Sequence, residues 1–420
     1  MRVLHVIPSV GPLRGGPSQV VLEIVRSLNQ TGVQAEIVAT NDNGPGLLDV
    51  PLGAKTVFAQ APVWFFPRFS PRLSLVREFA YSTALTRWLG QNMDRYDLIH
   101  VHAFFSYAST AAMMMARRKN IPYLVSPHGL LCEWSLQQSA SRKKLYLALI
   151  ERRNLNGSAG LEYAAEQERA EAAPLRLRAP GFVLPFGLDL PPILPDARTR
   201  LRTLIDVPLD EPVVLFLSRL HPKKGLHHLL AAAHTLARRR FSLVVAGTGS
   251  ADYEAQVRMQ AATGPLRERV HFLGFAEGET KHVLLQGADV FALTSHSESF
   301  GIAVLEALAA GLPALVTTGV ALASVVEQFR LGWVTELTVP RIAAALDHAL
   351  AVGNNAQAVL RRERARALVS ENFTWDRIAT RMRAVYEAVL AGRPLPSFAL
   401  SQVRMKPEGT KSCPTRPNPQ

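Results

Sequence analysis

Residues 290–306 read Val290-Phe291-Ala292-Leu293-Thr294-Ser295-His296-Ser297-Glu298-Ser299-Phe300-Gly301-Ile302-Ala303-Val304-Leu305-Glu306. A continuous apolar run, a polar loop and an apolar-periodic run opening at Gly301 spell strand, loop and helix. A strand apolar on both faces belongs in a parallel sheet covered by helices. The loop after such a strand lies at the carboxyl edge of the sheet, where doubly wound folds bind ligands. At the helix start the amides of Gly301 and Ile302 have no partner within the helix, so that end favours an anion. Glu298 stands just before it and Glu306 inside it. About eight residues at 1.5 Å span at most about 12 Å, which suits two carboxylates holding hydroxyls on either side of a pyrophosphate. Glu306 is embedded in Ile302, Ala303, Val304, Leu305, Ala307 and Leu308, unlike a charge on a solvated face. Both glutamates therefore read as ligand groups.

The same alternation extends outward on both sides. The second half predicts strands over 213–218, 242–246, 270–273, 290–293 and 314–316, with helices over 225–239, 251–262, 279–286 and 301–310. The first half predicts strands over 3–7, 36–40, 97–101, 123–126 and 181–184, with helices over 19–30, 106–118 and 141–156. Alternating β and α with apolar strands is an α/β chain of two doubly wound sheets facing across a cleft. Pro191, Pro192 and Pro195 mark a stiff linker over 190–202. The expected domains are 1–190 and 191–373, then a helix over 374–392. The Pro-rich basic stretch 393–420 is expected to be disordered.

At 420 residues and 48% hydrophobic content there is material for two cores, which excludes disordered and collagen-like classes. The two cysteines, Cys132 and Cys413, exclude a disulfide scaffold and a cysteine metal site, and fit a reducing compartment. The run 3–7 is broken by Pro8, Gly11 and Pro12, unlike a secretory signal. Ala307 to Val326 carries no charge, but Gly311, Pro313 and Gly319 make it helix end, turn, buried strand and loop rather than a membrane span. A cytoplasmic protein is expected.

The net charge of +13 admits nucleic acid, an anionic membrane surface or anionic small substrates. Aromatic residues are 7% and do not interleave with the basic runs, which argues against a nucleic-acid partner. Arg142-Lys143-Lys144 and Arg152-Arg153 share one predicted helix with Leu145, Tyr146, Leu149 and Ile150. Such a helix either lies on anionic lipid or presents a solvated face. A nicotinamide-type oxidoreductase would need G-x-G-x-x-G after the first strand, where the chain reads Pro8-Ser9-Val10-Gly11-Pro12.

Further candidates lie in loops after strands. In Ser218-Arg219-Leu220-His221-Pro222-Lys223-Lys224-Gly225, Arg219 can fork onto phosphate oxygens and Lys224 can place a point charge there. Gly247-Thr248-Gly249 reads either as a backbone open to a ligand or as a tight turn. Gly15-Gly16-Pro17 follows the first strand, and His128-Gly129 follows the strand 123–126 and faces the cleft. His100 and His102 share a strand face as cleft-lining or structural groups; no third ligand with metal spacing is evident.

Together Glu298-x7-Glu306, Arg219 with Lys224-Gly225, Gly247-Thr248-Gly249, His128-Gly129 and Gly15-Gly16 resemble the retaining glycosyltransferases of family 4 (group 1), which have the GT-B fold. Residues 166–171 (EQERAE) resemble the family's step at the end of its first domain. The resemblance implies an acceptor-binding first domain, a nucleotide-sugar-binding second domain, and a last helix crossing back onto the first. It implies a nucleotide-diphosphate sugar as donor and a saccharide or lipid-linked acceptor, as in bacterial surface polysaccharide or glycolipid synthesis. By the same likeness Arg219 and Lys224 bind the pyrophosphate, Glu306 the ribose, and Glu298 faces the transferred sugar. Phe300, Gly301 and Ile302 offer backbone to phosphate and sugar, His128 lies near the sugar ring, and Gly16 shapes the loop over the donor. Pro185-Phe186-Gly187-Leu188-Asp189 lacks the asparagine the family often shows there, and Ala164-Ala165 replace its usual hydroxyl residues. No D-x-D metal motif occurs, so no metal or other cofactor is expected. A non-catalytic relative of the same fold is the alternative.

Overall fold

Runs of Val, Ile, Leu and Phe without an interposed charge form the centres of two sheets in the computed structural model, which describes residues 1–71, 77–137, 140–352 and 356–405. In chain order the first half contributes β1 (Arg2–Ser9), β2 (Gln34–Thr40), a short hairpin of β3 (Asp42–Asn43) and β4 (Gly46–Leu47), β5 (Lys55–Phe58), β6 (Ala61–Phe66), β7 (Leu98–His102), β8 (Tyr123–Ser126), β9 (Gly160–Tyr163) and β10 (Gly181–Val183). The first sheet has the order β10-β9-β8-β7-β1-β2-β6-β5, parallel except where β5 meets β6. The second half contributes β11 (Val213–Leu217), β12 (Ser242–Ala246), β13 (Val270–Gly274), β14 (Val290–Leu293), β15 (Ala314–Thr317) and β16 (Gly332–Thr335). Its sheet is parallel throughout in the order β13-β12-β11-β14-β15-β16.

Strand order reverses at β1 in the first sheet and between β11 and β14 in the second. The loops after β1, β11 and β14 therefore open at topological switch points, the usual crevices of such sheets. Helix Ile302–Ala309 buries Val304, Leu305, Ala307, Leu308 and Ala309, and that face fixes how its N-terminus is aimed. Each fully buried Leu or Val contributes about 1.5–3 kcal/mol. Helix Trp375–Leu390 leaves the second half and packs on helix Gly16–Gln30 of the first. Where the chain crosses, Leu188 N donates to Phe373 O at 2.8 Å and Gly187 backs onto Trp375.

Several expectations need correction. The predicted helix over 141–156 runs without a break but is not regular: Ala140–Tyr146 and Arg152–Asn156 are joined by a π-helical turn, Leu147–Glu151. Within that turn the Glu151 carboxylate faces inward and accepts from Thr110 Oγ1 and Asn154 Nδ2. The predicted linker over 190–202 contains the start of helix Ala197–Ile205, tied down by buried Leu201 and by Arg202, whose guanidinium reaches Asp289 Oδ2 at 2.5 Å. Residues 393–405 are not disordered. Phe398 N donates to Val183 O at 2.7 Å, Leu400 and Val403 are buried, and Glu166 accepts from Leu400 N and Ser401 N at 2.9 Å each. Residues 406–420 lie outside the described residues. Among the described residues no helix is long and apolar enough to cross a membrane.

Candidate active site

The second sheet supplies one wall of a cleft. Helix Ile302–Ala309 starts at Gly301 without a side-chain cap, so its first amides point out unpaired. Glu298 is pinned through its backbone, with Glu298 N donating to Gly319 O at 2.8 Å and Ala321 N to Glu298 O at 3.2 Å. Its carboxylate Oε1 accepts from Lys224 Nζ at 2.5 Å and Ser295 Oγ at 2.9 Å. Lys224 ends a 3-10 turn, Pro222–Lys224, capped by His221 Nδ1 accepting from Lys223 N at 3.1 Å. Gly247 and Gly249 hold the Arg219 loop: a Cβ on either would lie 1.9 Å from Ser218 O or Leu220 O. Their smallness is needed by this backbone packing.

The first sheet supplies the facing wall. His128 follows β8 in the left-handed conformation at φ 53°. The Glu168 carboxylate holds that turn by accepting from Gly129 N, and from Ala164 N at 2.7 Å. Burial pushes the Glu168 carboxyl up to about 7 against the lowering effect of these two donors. Burial likewise lowers His128 to about 4, so its imidazole is neutral at pH 7. A Cβ on Gly129 would come 3.1 Å from Ser299 Oγ, and one on Gly16 3.7 Å from Ile302 Cδ1, so both loops reach the opposite wall. Lys223 Nζ sits 4.9 Å over the Trp134 ring. The walls enclose about 380 Å³ lined by Gly16, His128, Arg219, Lys224, Glu298, Phe300, Gly301 and Ile302.

Glu306 opens on an adjoining cavity of about 270 Å³ on the far side of Ile302, where its Oε1 meets Lys281 Nζ at 2.5 Å. Ile302 lines both cavities, so an extended ligand can run from the helix N-terminus to Glu306.

The strand register adds a third imidazole to His100 and His102, because His5 of β1 pairs with His100 of β7. Ligand atoms of the three come within 4.8 Å of one another. His5 Nδ1 and His102 Nε2 stand 2.9 Å apart, a hydrogen-bond distance and shorter than the roughly 3.3 Å between two nitrogens on one tetrahedral zinc. His5 and His102 are hydrogen-bonded to each other, and His100 bonds instead to the Tyr386 hydroxyl and Ser126 Oγ.

Residues 15–187 match the glycosyl transferase 4-like domain and residues 198–366 the family of glycosyl transferases group 1. The chain belongs to the group 1 glycosyl transferases. It is 28% identical to a D-inositol 3-phosphate glycosyltransferase of Xylanimonas cellulosilytica over 90% of this chain and 93% of that protein. It is 33% identical to the glycosyltransferase MJ1607 of Methanocaldococcus jannaschii over 46% of this chain, and there it spans 50% of the relative's length. Solved structures share the GT-B fold. Sucrose-phosphate synthase of Thermosynechococcus elongatus superposes with a TM-score of 0.74 at 20% identity, covering 93% of this chain and all (100%) of that one. Anabaena HepE in complex with UDP gives 0.72 at 21%, covering 92% and 100%.

In this glycosyltransferase most of the residues singled out in the sequence converge on one cleft. Gly247 and Gly249 do not line it, and Phe300 turns its ring into the core against Phe186, with centroids 5.2 Å apart. Sequence reading missed Trp134, six positions beyond His128, and Arg14, whose Nε is held by Asp42 Oδ2 at 2.5 Å beside the Gly16 loop. It also missed Lys281 as the partner of Glu306, since no local pattern joins positions on two helices.

Proposed function

We propose that this glycosyltransferase moves a sugar from a nucleotide-diphosphate sugar to a hydroxyl of a saccharide or lipid-linked acceptor, with retention and without a metal. The observation that carries the reading is the opposition of Lys224, Arg219 and an uncapped helix N-terminus to His128 across one cleft. Arg219, Lys224 and the amides at Gly301 and Ile302 bind the diphosphate and stabilise the charge that grows on it as it leaves, the part a metal plays elsewhere. Glu306 takes the ribose hydroxyls in the adjoining cavity. Glu298 faces the transferred sugar, and Lys224 exchanges its bond to Glu298 for phosphate oxygen. The sugar–phosphate C–O bond breaks, the acceptor oxygen bonds to the same carbon on the same face, and its proton passes to the departing phosphate. Anabaena HepE, solved with UDP, and the D-inositol 3-phosphate glycosyltransferases support a nucleotide donor and a hydroxylated acceptor.

The acceptor side has an apolar, basic surface. Leu145 and Leu149 are 61% and 72% exposed, Ile150 joins them, and Lys144, Arg152 and Arg153 are exposed beside them. This face suits peripheral binding to an anionic membrane and a lipid-linked acceptor of surface polysaccharide or glycolipid synthesis.

Slow hydrolysis of UDP-, GDP- and ADP-sugars tests the donor reading. Lys224→Ala and Glu306→Ala should each lower kcat/KM by roughly 100-fold on the active donor. Full activity in both overturns the donor assignment. The anomer first formed on the acceptor, followed by NMR, tests retention.

A further inference from the structure

Behind the cleft, four neighbouring strands and the last helix place a row of buried polar side chains in series. His128 Nε2 lies 3.1 Å from His102 Nδ1, and His102 Nε2 lies 2.9 Å from His5 Nδ1. His5 Nε2 is 3.3 Å from the Tyr386 hydroxyl, which is 2.8 Å from His100 Nδ1. His100 Nε2 is 2.6 Å from Ser126 Oγ and 2.9 Å from Glu162 Oε2, and Ser126 Oγ donates to Glu162. His5, His100, His102, Ser126, Glu162 and Tyr386 are all buried. Among the described residues His128 Nδ1 has no hydrogen-bond partner, and His128 lines the cleft.

With Glu162 ionised and His100 carrying a single proton, the direction of every bond follows from the carboxylate end. An ionised carboxylate only accepts, so Ser126 O–H points to Glu162 and His100 Nε2 must carry a proton. A neutral imidazole with a proton on Nε2 has a bare Nδ1, so the Tyr386 O–H donates to His100. The Tyr386 oxygen then accepts from His5 Nε2–H, His5 Nδ1 accepts from His102 Nε2–H, and His102 Nδ1 accepts from His128 Nε2–H. One proton per ring satisfies the whole series without an orphaned group. We infer that this relay holds His128 as its Nε2–H tautomer, so that bare Nδ1 faces the cleft as a hydrogen-bond acceptor for a sugar hydroxyl. His102, His5 and Tyr386 are its positioning residues, because the bond on one ring nitrogen decides which other nitrogen is free. Burial supports the neutral state: it holds His5 and His102 well below the ordinary histidine value and keeps the Tyr386 phenol protonated. The role toward the sugar rests on the donor reading above; the tautomer does not.

Ring-nitrogen NMR on protein labelled with 15N-histidine reads the tautomer, with His128 assigned by difference against His128→Gln. The wild type should show His128 protonated at Nε2 and bare at Nδ1. Tyr386→Phe removes only the hydroxyl that couples the series to Glu162, and His102→Phe removes the direct acceptor. In either folded variant His128 should populate both tautomers, and kcat for sugar transfer should fall about tenfold with donor KM within about twofold. A wild-type His128 protonated at Nδ1, or on both nitrogens, overturns the relay. So does a His128 tautomer unaltered in both variants, and an unchanged kcat despite an altered tautomer overturns the positioning role. A wild type that turns over no nucleotide sugar, yet shows the Nε2–H tautomer, faults the donor reading and supports the relay.

Discussion

A methyl group on Gly247 would collide with Ser218 O, and the glycine itself sits at φ 141°. Gly247→Ala should therefore cost at least about 2 kcal/mol in urea unfolding. Because the displaced loop carries Arg219, it should also raise the KM for the donor; a wild-type KM with wild-type stability would contradict this packing. Glu168 gives a second residue-scale expectation. Its carboxyl is lifted from about 4.5 unfolded to about 7 folded by burial, so the folded state binds the extra proton between those values. That contribution to stability is complete below pH 4.5 and is lost as pH rises through 7. Glu168→Gln should flatten this part of the pH–stability curve, measured by urea midpoints across the window. At this scale the charged groups were legible in sequence, because Arg219, Lys224 and Glu298 sit in short loops directly after apolar strands. His5 was not, because its proximity to His102 depends on strand register across residues far apart in the chain.

Among the elements, the sequence read best where an apolar run was bounded by turns, as at β11, β12 and β14. It read worst where burial is carried by isolated side chains. The pair β5 and β6 joins a half-exposed strand to a largely buried one around Ala59 and Gln60, both at positive φ, without a glycine to announce the turn. Helix Ala356–Asn372 interleaves arginine and glutamate with Ala, Val and Leu, and it packs against helix Ile302–Ala309 with Ala365, Leu368 and Val369 buried. The segment 141–156 reads as one amphipathic helix, and around its π-helical turn Leu145, Leu149 and Ile150 stand at the surface while Glu151 faces inward. Leu149→Glu should abolish sedimentation with anionic vesicles at low salt and leave hydrolysis of free nucleotide sugar unchanged. Equal sedimentation of the variant and the wild type would remove the membrane role.

For the whole molecule, the two sheets were legible as two alternating β/α halves, whereas the packing of the final stretch against both was not. Leu395, Phe398, Leu400, Val403 and Met405 fall in a Pro-rich basic stretch without helix or strand periodicity, and Leu400 and Val403 are buried against the core. Deleting residues 393–420 should destabilise the protein by at least about 3 kcal/mol, from two aliphatic side chains at about 1.5 kcal/mol each. Thermal or urea unfolding measures it, and an unshifted midpoint would show the packing to be idle. This final stretch bears on cohesion as well. It touches Val183 and Glu166 on one side, and Asn372 and helix Ala323–Gln328 on the other. It thus joins the paired crossings at Leu188 and Phe373. With three passes of chain gathered along one edge, cutting any one of them leaves the two halves still held together by the other two.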